Sequence, residues 1–425
     1  MRTDAKIEEC LSWPERAARV LDRCDQLARC SERGGELTRT FLSPPMKEAH
    51  ELIGAWMCQV GMTPRVDALG NLIGHFPAQN PEENAVWLLG SHLDSVPNAG
   101  RYDGALGVLL ALEAVAALEG EPLPFAVEVI GFSEEEGVRF KSPYLGSRAL
   151  AGTFDAALLE LRDENGISMR GALCDFGLPP DGWRGARHTG GKILGYLEAH
   201  IEQGPVLESL GAPLGVVTAI VGQSRLRVRF QGQSGHAGTL PMRSRRDALA
   251  AASEWILEVE TLAGALSGLR ATVGSLEVGP NAANVVAGEV VASLDARHAD
   301  DRAREEAVEA LLERARSIAA RRGVTFGVLA RASQNAVPMN PGLREHLRTV
   351  CGELAVFAPP IASGAGHDAA IMANLCPCAM LFLRTPGGKS HCPEEAVTRE
   401  DVALALQAMS GFLQRVARPK AQSKR

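Results

Sequence analysis

The chain has 425 residues, too many for one simple core, so two or more domains are expected. Hydrophobic content of 46% with 22% charged residues is ordinary for a water-soluble globular protein. A net charge of −7 argues against nucleic acid or a membrane surface as the main partner, and no window reaches the roughly 20 apolar residues of a transmembrane helix.

The start, Met1-Arg2-Thr3-Asp4-Ala5-Lys6, leads into a charged amphipathic stretch with no apolar signal segment. Helical spacing predicts helices around Ala17–Leu27 and Met46–Val60. From Val66 the texture changes: Ala85–Leu89 and Phe125–Phe132 read as buried strands, with a helix over Ala105–Leu118 between them. Residues 160–192 are polar and glycine-rich, and Ile193–Ala199 resumes as a strand. A second texture begins near Gly211. Val216–Ile220 and Arg225–Phe230 read as strands, then a helix over Ala248–Leu266, strands at 271–278 and 289–297, a helix at 302–321 and a strand at 324–330. After about residue 330 the first texture returns, with a strand at Ala379–Leu383 and a closing helix at Asp401–Val416. The order implies an α/β frame (1–211 and 331–425) into which an α+β sandwich (212–330) is inserted, with one exposed sheet edge as a dimer surface. The basic tail Arg418–Arg425 reads as a frayed terminus. Nine cysteines without framework spacing favour reduced thiols and a cytoplasmic location, and Cys376-Pro-Cys378 reads as core.

Four strand ends or turns bear acids and histidines. Gly90-Ser-His92-Leu-Asp94 follows a strand, and Tyr102-Asp103-Gly104 opens the next helix. Open α/β sheets place their sites at such carboxyl ends. Imidazole and carboxylates there suit zinc, manganese or related ions, with Asp94 orienting His92 and Asp103 bridging two ions. Ser133-Glu134-Glu135-Glu136-Gly137 puts three acids together, where one can bind metal while its neighbour takes a proton from water. Glu198-Ala-His200-Ile-Glu202-Gln203 and Ser390-His391-Cys392-Pro-Glu394-Glu395 complete the set. Each alone is equally readable as a polar turn; four in one α/β frame are harder to dismiss. Ser234-Gly-His236-Ala-Gly and Ser363-Gly-Ala-Gly366-His367-Asp368 are glycine-rich turns, and Arg297 offers a bidentate clamp for a carboxylate.

Taken together, SHLDSV, GRYDGALGV, EEEGVRF, LGSRALAG, LEAHIEQGPVLE, GHAGTLPM, PNAANVVAGEV, DARH, SGAGHDA and SHCPEE resemble the M20 metallopeptidase superfamily. The resemblance is to its hydantoinase/carbamoylase branch, which holds allantoate amidohydrolases, N-carbamoyl-L-amino acid hydrolases and β-ureidopropionases, and it runs from roughly residue 65 to 415. It implies a mixed-sheet metallohydrolase catalytic domain with an inserted dimerisation (lid) domain. By position it makes His92 and His200 ligands of one metal, Glu136 and His391 ligands of the other, and Asp103 the bridge. It makes Glu135 the general base, Asp94 the acid that supports the site, and Gln203, Asn284, Arg297 and Gly366 substrate-binding positions. His236 matches a histidine that reaches across a dimer to stabilise the oxyanion. The implied cofactors are two divalent ions, manganese or zinc, with cobalt or nickel also compatible. The implied reaction cleaves a ureido C–N bond of a small anionic ureido acid, releasing ammonia and CO2. Glu135 relays a proton from water to the leaving nitrogen, and Arg297 holds the substrate carboxylate.

Three departures stand out: Glu134 where the family carries aspartate, Ala287 where it carries proline, and Cys392 beside a ligand histidine, an expected point of oxidation. The stretch Gly222–Thr239 and Leu383-Arg384 look most like plant-type allantoate amidohydrolases, so allantoate is favoured over N-carbamoyl amino acids. A peptidase or deacylase is the runner-up, against which His200 and Gln203 speak. No G-x-S-x-G nucleophile elbow occurs, and Leu383 stands where a Walker A loop ending in Gly388-Lys389-Ser390 needs its first glycine.

Overall fold

The computed structural model describes residues 11–80 and 82–418. The charged start (1–10) and the tail beyond Arg418 lie outside the described residues. The chain forms two compact units. One comprises the chain up to Thr218 together with Met339–Ile361 and everything from His367 on; the other comprises Ala219–Pro338 and Ala362–Gly366.

The larger unit opens with two helices whose starts are encoded locally. Ser12 and Glu15 form a reciprocal capping box with Pro14 in the first turn of Trp13–Leu27, and Ser43 accepts from the Met46 amide at the head of Pro44–Gln59. The mixed sheet runs Thr63–Val66, Leu72–Phe76, Ala126–Phe132, Ala85–His92, Lys192–Ile201, Cys378–Leu383, Leu214–Ile220 and Val337–Pro338, with Pro360–Ser363 also beside Leu214–Ile220. Its centre is parallel: Ala85–His92 pairs in parallel with both Ala126–Phe132 and Lys192–Ile201, and Lys192–Ile201 with Cys378–Leu383. Ala126–Phe132 is buried along its whole length, which is why it lacks polar alternation; its one charged residue, Glu128, is paired with Arg65 and His188. The helices Trp13–Leu27, Ala105–Ala116 and Arg399–Ala417 pack together in the main core.

Parallel pairing sends neighbouring strand ends to the same edge of the sheet. Ala85–His92 runs on through His92 itself, Ala126–Phe132 ends just before Ser133-Glu134-Glu135, and Lys192–Ile201 carries His200 next to its last residue.

The smaller unit is an antiparallel sheet in the order Leu276–Gly279, Glu289–His298, Gly222–Gln231, Thr325–Gln334, with Arg270–Thr272 also on Glu289–His298. Along Gly222–Gln231, Ser224, Leu226, Val228 and Phe230 are buried, while Arg225 and Arg227 are exposed. The helices Ala248–Ala265 and Asp301–Arg322 cover that apolar face; each is capped by an aspartate, Asp247 or Asp300.

Two sequence expectations need correction. Val216–Ile220 was expected to open the inserted sandwich; the strand is Leu214–Ile220, and it pairs antiparallel with Cys378–Leu383 in the large sheet. The single strand expected at 271–278 is two, Arg270–Thr272 and Leu276–Gly279, both on Glu289–His298. The structure adds a helix at Pro341–Glu353 and an eight-residue helix at Met169–Phe176 inside the polar stretch. Among the described residues no helix is long and apolar enough to cross a membrane. The described cysteines are free, with Cys376 and Cys378 buried.

Candidate metal centre

Four side chains from four segments of the larger unit converge on Asp103. His92 Nε2 lies 3.4 Å and His200 Nε2 3.2 Å from its Oδ1, and the two imidazole nitrogens are 3.4 Å apart. His391 Nε2 lies 3.2 Å from the other oxygen, Oδ2, and 3.4 Å from Glu136 Oε1. Two sets, His92–Asp103–His200 and Asp103–Glu136–His391, each bring their ligand atoms within 4.8 Å of one another and share the same carboxylate. His92–Glu135–Glu136 and Glu198–His200–His367 do so as well.

The histidine tautomers explain why a cation belongs here. His92 Nδ1 donates to the Asp94 carbonyl at 3.0 Å, and His200 Nδ1 donates to the Ile201 carbonyl at 2.9 Å. In the neutral rings this leaves each Nε2 as a lone pair aimed at Asp103. Asp103 Oδ1 is itself buried with no hydrogen-bond partner among the described residues. Lone pairs therefore face a carboxylate oxygen at 3.2 to 3.4 Å, an arrangement that needs positive charge between them. The electrostatics agree. Burial alone would lower His92 and His200, but the acids around them outweigh it and raise both, Asp103 with Asp94 and Glu135 at His92 and Asp103 with Glu198 at His200. Burial alone would raise Asp103, but the imidazoles of His200, His391 and His92 hold it well below the usual carboxylate range. The cluster draws protons where no metal compensates it.

Glu135 is 8% exposed, and burial raises its carboxyl well above the usual range, with Glu136 and Asp368 adding to the rise. Burial also pushes Glu136 up, to about 7. Such an acid is poised near neutrality to exchange a proton.

Asp94 acts differently from its expected role of orienting His92 through its carboxylate. That carboxylate oxygen is 3.5 Å from His92 Nδ1, too far to hold it; the backbone carbonyl of Asp94 does so instead. The carboxylate accepts the backbone N–H groups of Glu135 (2.9 Å) and Glu136 (3.0 Å) and so fixes both glutamates together.

Several supporting residues had no assigned role in the sequence. Glu395 accepts from the backbone N–H groups of Tyr102 (2.9 Å) and Asp103 (3.0 Å) and from Ser390 Oγ (3.2 Å), tying the SHCPEE turn to Asp103. Glu198, fully buried behind His200, takes hydrogen bonds from Ser91, Tyr196 and the Ala369 amide. Asp368 accepts from Ser147 at 2.5 Å. Gly104 has φ +66°, and a Cβ there would collide with the His92 ring, so this close approach requires glycine.

Gln203 sits in this cluster with φ +60°, donating to Asp103 Oδ2 at 2.9 Å and lying 3.4 Å from His391 Nε2. The other four positions expected at the site, His236, Asn284, Arg297 and Gly366, belong to the smaller unit. There Val285–Val286 pairs with Gly235–His236, which sets Asn284 beside His236; both are exposed. Arg297 is gripped bidentately by Asp295 (Nε to Oδ1 2.8 Å, Nη2 to Oδ2 3.1 Å) and donates through Nη1 to the Gly364 carbonyl at 2.9 Å. Its fork is therefore engaged within the protein rather than standing open, as the sequence reading of a carboxylate clamp assumed.

The chain matches the model of peptidase family M20/M25/M40 over residues 88–415. It is 38% identical over 426 residues to an allantoate deiminase of Arabidopsis thaliana, covering 92% of this chain and 81% of that one. It is also 38% identical over 379 residues to an N-carbamoyl-L-amino acid amidohydrolase of Geobacillus stearothermophilus, covering 88% and 92%. A crystal structure of an amidase of the hydantoinase/carbamoylase family from Burkholderia multivorans superposes with a TM-score of 0.88 at 31% identity, covering 95% of this chain and 98% of that one.

Proposed function

The chain belongs to peptidase family M20/M25/M40, and from that premise we propose that it is a two-metal amidohydrolase that cleaves the ureido C–N bond of a small carboxylic acid, releasing ammonia and CO2. Allantoate is the first candidate substrate, in line with the Arabidopsis relative; N-carbamoyl-L-amino acids are second, in line with the Geobacillus one. The observation that carries the reading is Asp103, one buried carboxylate with two histidines on one oxygen and His391 on the other.

His92, Asp103 and His200 would hold one divalent ion, and Asp103, Glu136 and His391 the other. Manganese or zinc suits this nitrogen and oxygen donor set. Bound there, such ions would lower the pKa of water towards neutrality and polarise a carbonyl oxygen. Glu135, whose affinity for a proton burial raises, accepts the proton of the attacking water and passes it to the leaving nitrogen. Asp94 keeps Glu135 and Glu136 in fixed relation through their backbone N–H groups. Gln203, hydrogen-bonded to Asp103, presents its remaining amide oxygen as an acceptor for a substrate N–H group. In the smaller unit Arg297 is the candidate for the substrate carboxylate, which must share or displace the grip of Asp295. Asn284 and Gly366 join it as substrate contacts, and His236 supplies a donor to the developing oxyanion from the other subunit of a homodimer.

The exposed edge strand Thr325–Gln334 supports such a dimer through the smaller unit, which then acts as the inserted dimerisation (lid) domain. The free thiols support a cytoplasmic location. The deciding experiment is ammonia release by the manganese-loaded protein, offered allantoate, N-carbamoyl-L-amino acids and N-carbamoyl-β-alanine separately, with a chelated control. Chelator-sensitive turnover of one substrate over the others is the expected result. No release from any of them, with metal shown to be bound, moves the reading to a peptidase or deacylase.

A further inference from the structure

The helix Trp13–Leu27 carries Arg16, Arg19 and Arg23 at offsets of three and four, which place them on one face. All three turn towards a single carboxylate, Glu113, fully buried near the end of the helix Ala105–Ala116. Arg16 Nη1 donates to it at 2.9 Å, and Arg19 donates through Nε at 2.9 Å and Nη2 at 2.5 Å. Arg16 is otherwise satisfied, by the Leu11 carbonyl and by Glu119.

Arg23 is in a different state. Its side chain is 8% exposed, and its nearest ion-pair contact is Glu113 Oε2 at 3.6 Å, beyond hydrogen-bond distance. Its Nη1 is sealed from solvent with no hydrogen-bond partner among the described residues. The guanidinium carbon lies over the Trp56 ring, 4.9 Å from its centroid, so the group is placed by packing rather than by acceptors. A guanidinium has five N–H donors, and burying one without acceptors is costly unless something supplies them.

The three arginines line a cavity of about 750 Å³ together with Glu119, Gln59 and Gly61. Three guanidinium groups face two carboxylates there, and Glu119 is half exposed, so the cavity is left with net positive charge. The helix that ends here at Glu113–Ala116 begins directly after Asp103-Gly104; twelve residues at 1.5 Å rise put the two ends roughly 18 Å apart. The cavity is thus separate from the metal centre but on the same helix.

We propose that this cavity binds a small tetrahedral dianion, either a free inorganic oxyanion or the phosphate group of a phosphate monoester. Arg23 and Arg19 donate to it, with Glu113 holding the Arg19 guanidinium and the Trp56 ring backing that of Arg23. An anion in the cavity accepts from the Arg23 and Arg19 nitrogens that Glu113 does not engage, as guanidinium groups suit an oxyanion.

The test is calorimetric titration of the metal-loaded full chain with sodium sulfate, against chloride at matched ionic strength. We expect one saturable site per chain, persisting after chelation and in Arg297→Ala, and weakened at least tenfold in Arg23→Met. Arg19→Gln, at a position one-third exposed, serves if Arg23→Met does not fold, and should weaken binding severalfold. Tighter binding of glycerol phosphate than of sulfate assigns the site to a phosphate monoester; equal binding assigns it to the free ion. Absence of saturable sulfate binding in the unmodified chain, or unchanged affinity in both arginine variants, overturns the proposal.

Discussion

The two units handle their chemistry-bearing residues in opposite ways. In the larger unit His92, Asp103, Glu135 and His200 are buried, and each is fixed by a backbone group or by a second carboxylate. In the smaller unit His236 and Asn284 are exposed on a two-residue ladder, and Arg297 is held mainly by its strand neighbour Asp295. Buried strand ends can hold a preorganised constellation at fixed spacing; exposed ladders hold groups whose partners arrive from outside. The larger unit thus carries its chemistry-bearing groups preorganised, and the smaller carries them exposed.

Four measurements break or sharpen that contrast. The largest effect is expected from Glu135→Gln, which should lower kcat by about 10²- to 10⁴-fold while metal content and unfolding temperature stay at the level of the unmodified chain. Near-normal turnover would take the proton-transfer role away from Glu135. Next, Trp255→Ala should destabilise the smaller unit by about 3–5 kcal/mol, because the indole is fully buried and its Nε1 donates to the Leu311 carbonyl at 2.9 Å. Denaturant unfolding followed by amide exchange should show the loss in residues 222–334 and not in the strands that carry His92 and His200. Third, Arg297→Ala should raise KM about tenfold to a hundredfold, the worth of a charged hydrogen bond, with kcat little changed. An unchanged KM would leave the substrate carboxylate to some other group.

The smallest effect concerns pH. His50 is buried, neither ring nitrogen has a hydrogen-bond partner among the described residues, and burial, helped by the charge of Arg39, lowers it to about 4. With the folded value depressed below the unfolded value of about 6.5, its contribution is full above that pH and is lost as pH falls towards 4. His50→Leu should therefore recover about 2 kcal/mol of stability at pH 5 relative to pH 8. Parallel acid limbs in the two proteins would show that His50 does not titrate across this range.

The parts of the metal centre legible in the sequence are those written as strand ends. Continuous apolar runs before His92 and Glu134 announce buried parallel strands, and the helix Ala105–Ala116 announces itself by composition. What stayed illegible depends on contacts between distant segments. Glu395 meets the Asp103 amide across 292 residues, and nothing local to either residue signals it. Asp94 looks from spacing like a partner for the side chain of His92, yet it spends its carboxylate on two amides 41 and 42 residues away. Leu214–Ile220 is apolar enough for either sheet, and only the available edge beside Cys378–Leu383 decides between them. Arg297 is legible as a candidate anion contact, but its engagement by Asp295 two positions earlier depends on side-chain geometry that the sequence does not carry.

The hydrogen bonds from His92 and His200 to the Asp94 and Ile201 carbonyls bear on how this site tolerates sequence drift. Both acceptors are main-chain atoms, which every residue type supplies. A substitution at Ile201, or one at Asp94 that spares the backbone path, leaves the imidazole orientation intact, whereas a deletion that shifts either segment by one residue moves the carbonyl that orients that segment's ring. The Nδ1 contacts of the two imidazoles are thus insensitive to residue type at positions 94 and 201 but sensitive to insertions and deletions there, so length variation near residues 92–94 and 200–201 joins a side chain at Gly104 among the changes most apt to silence a homologue.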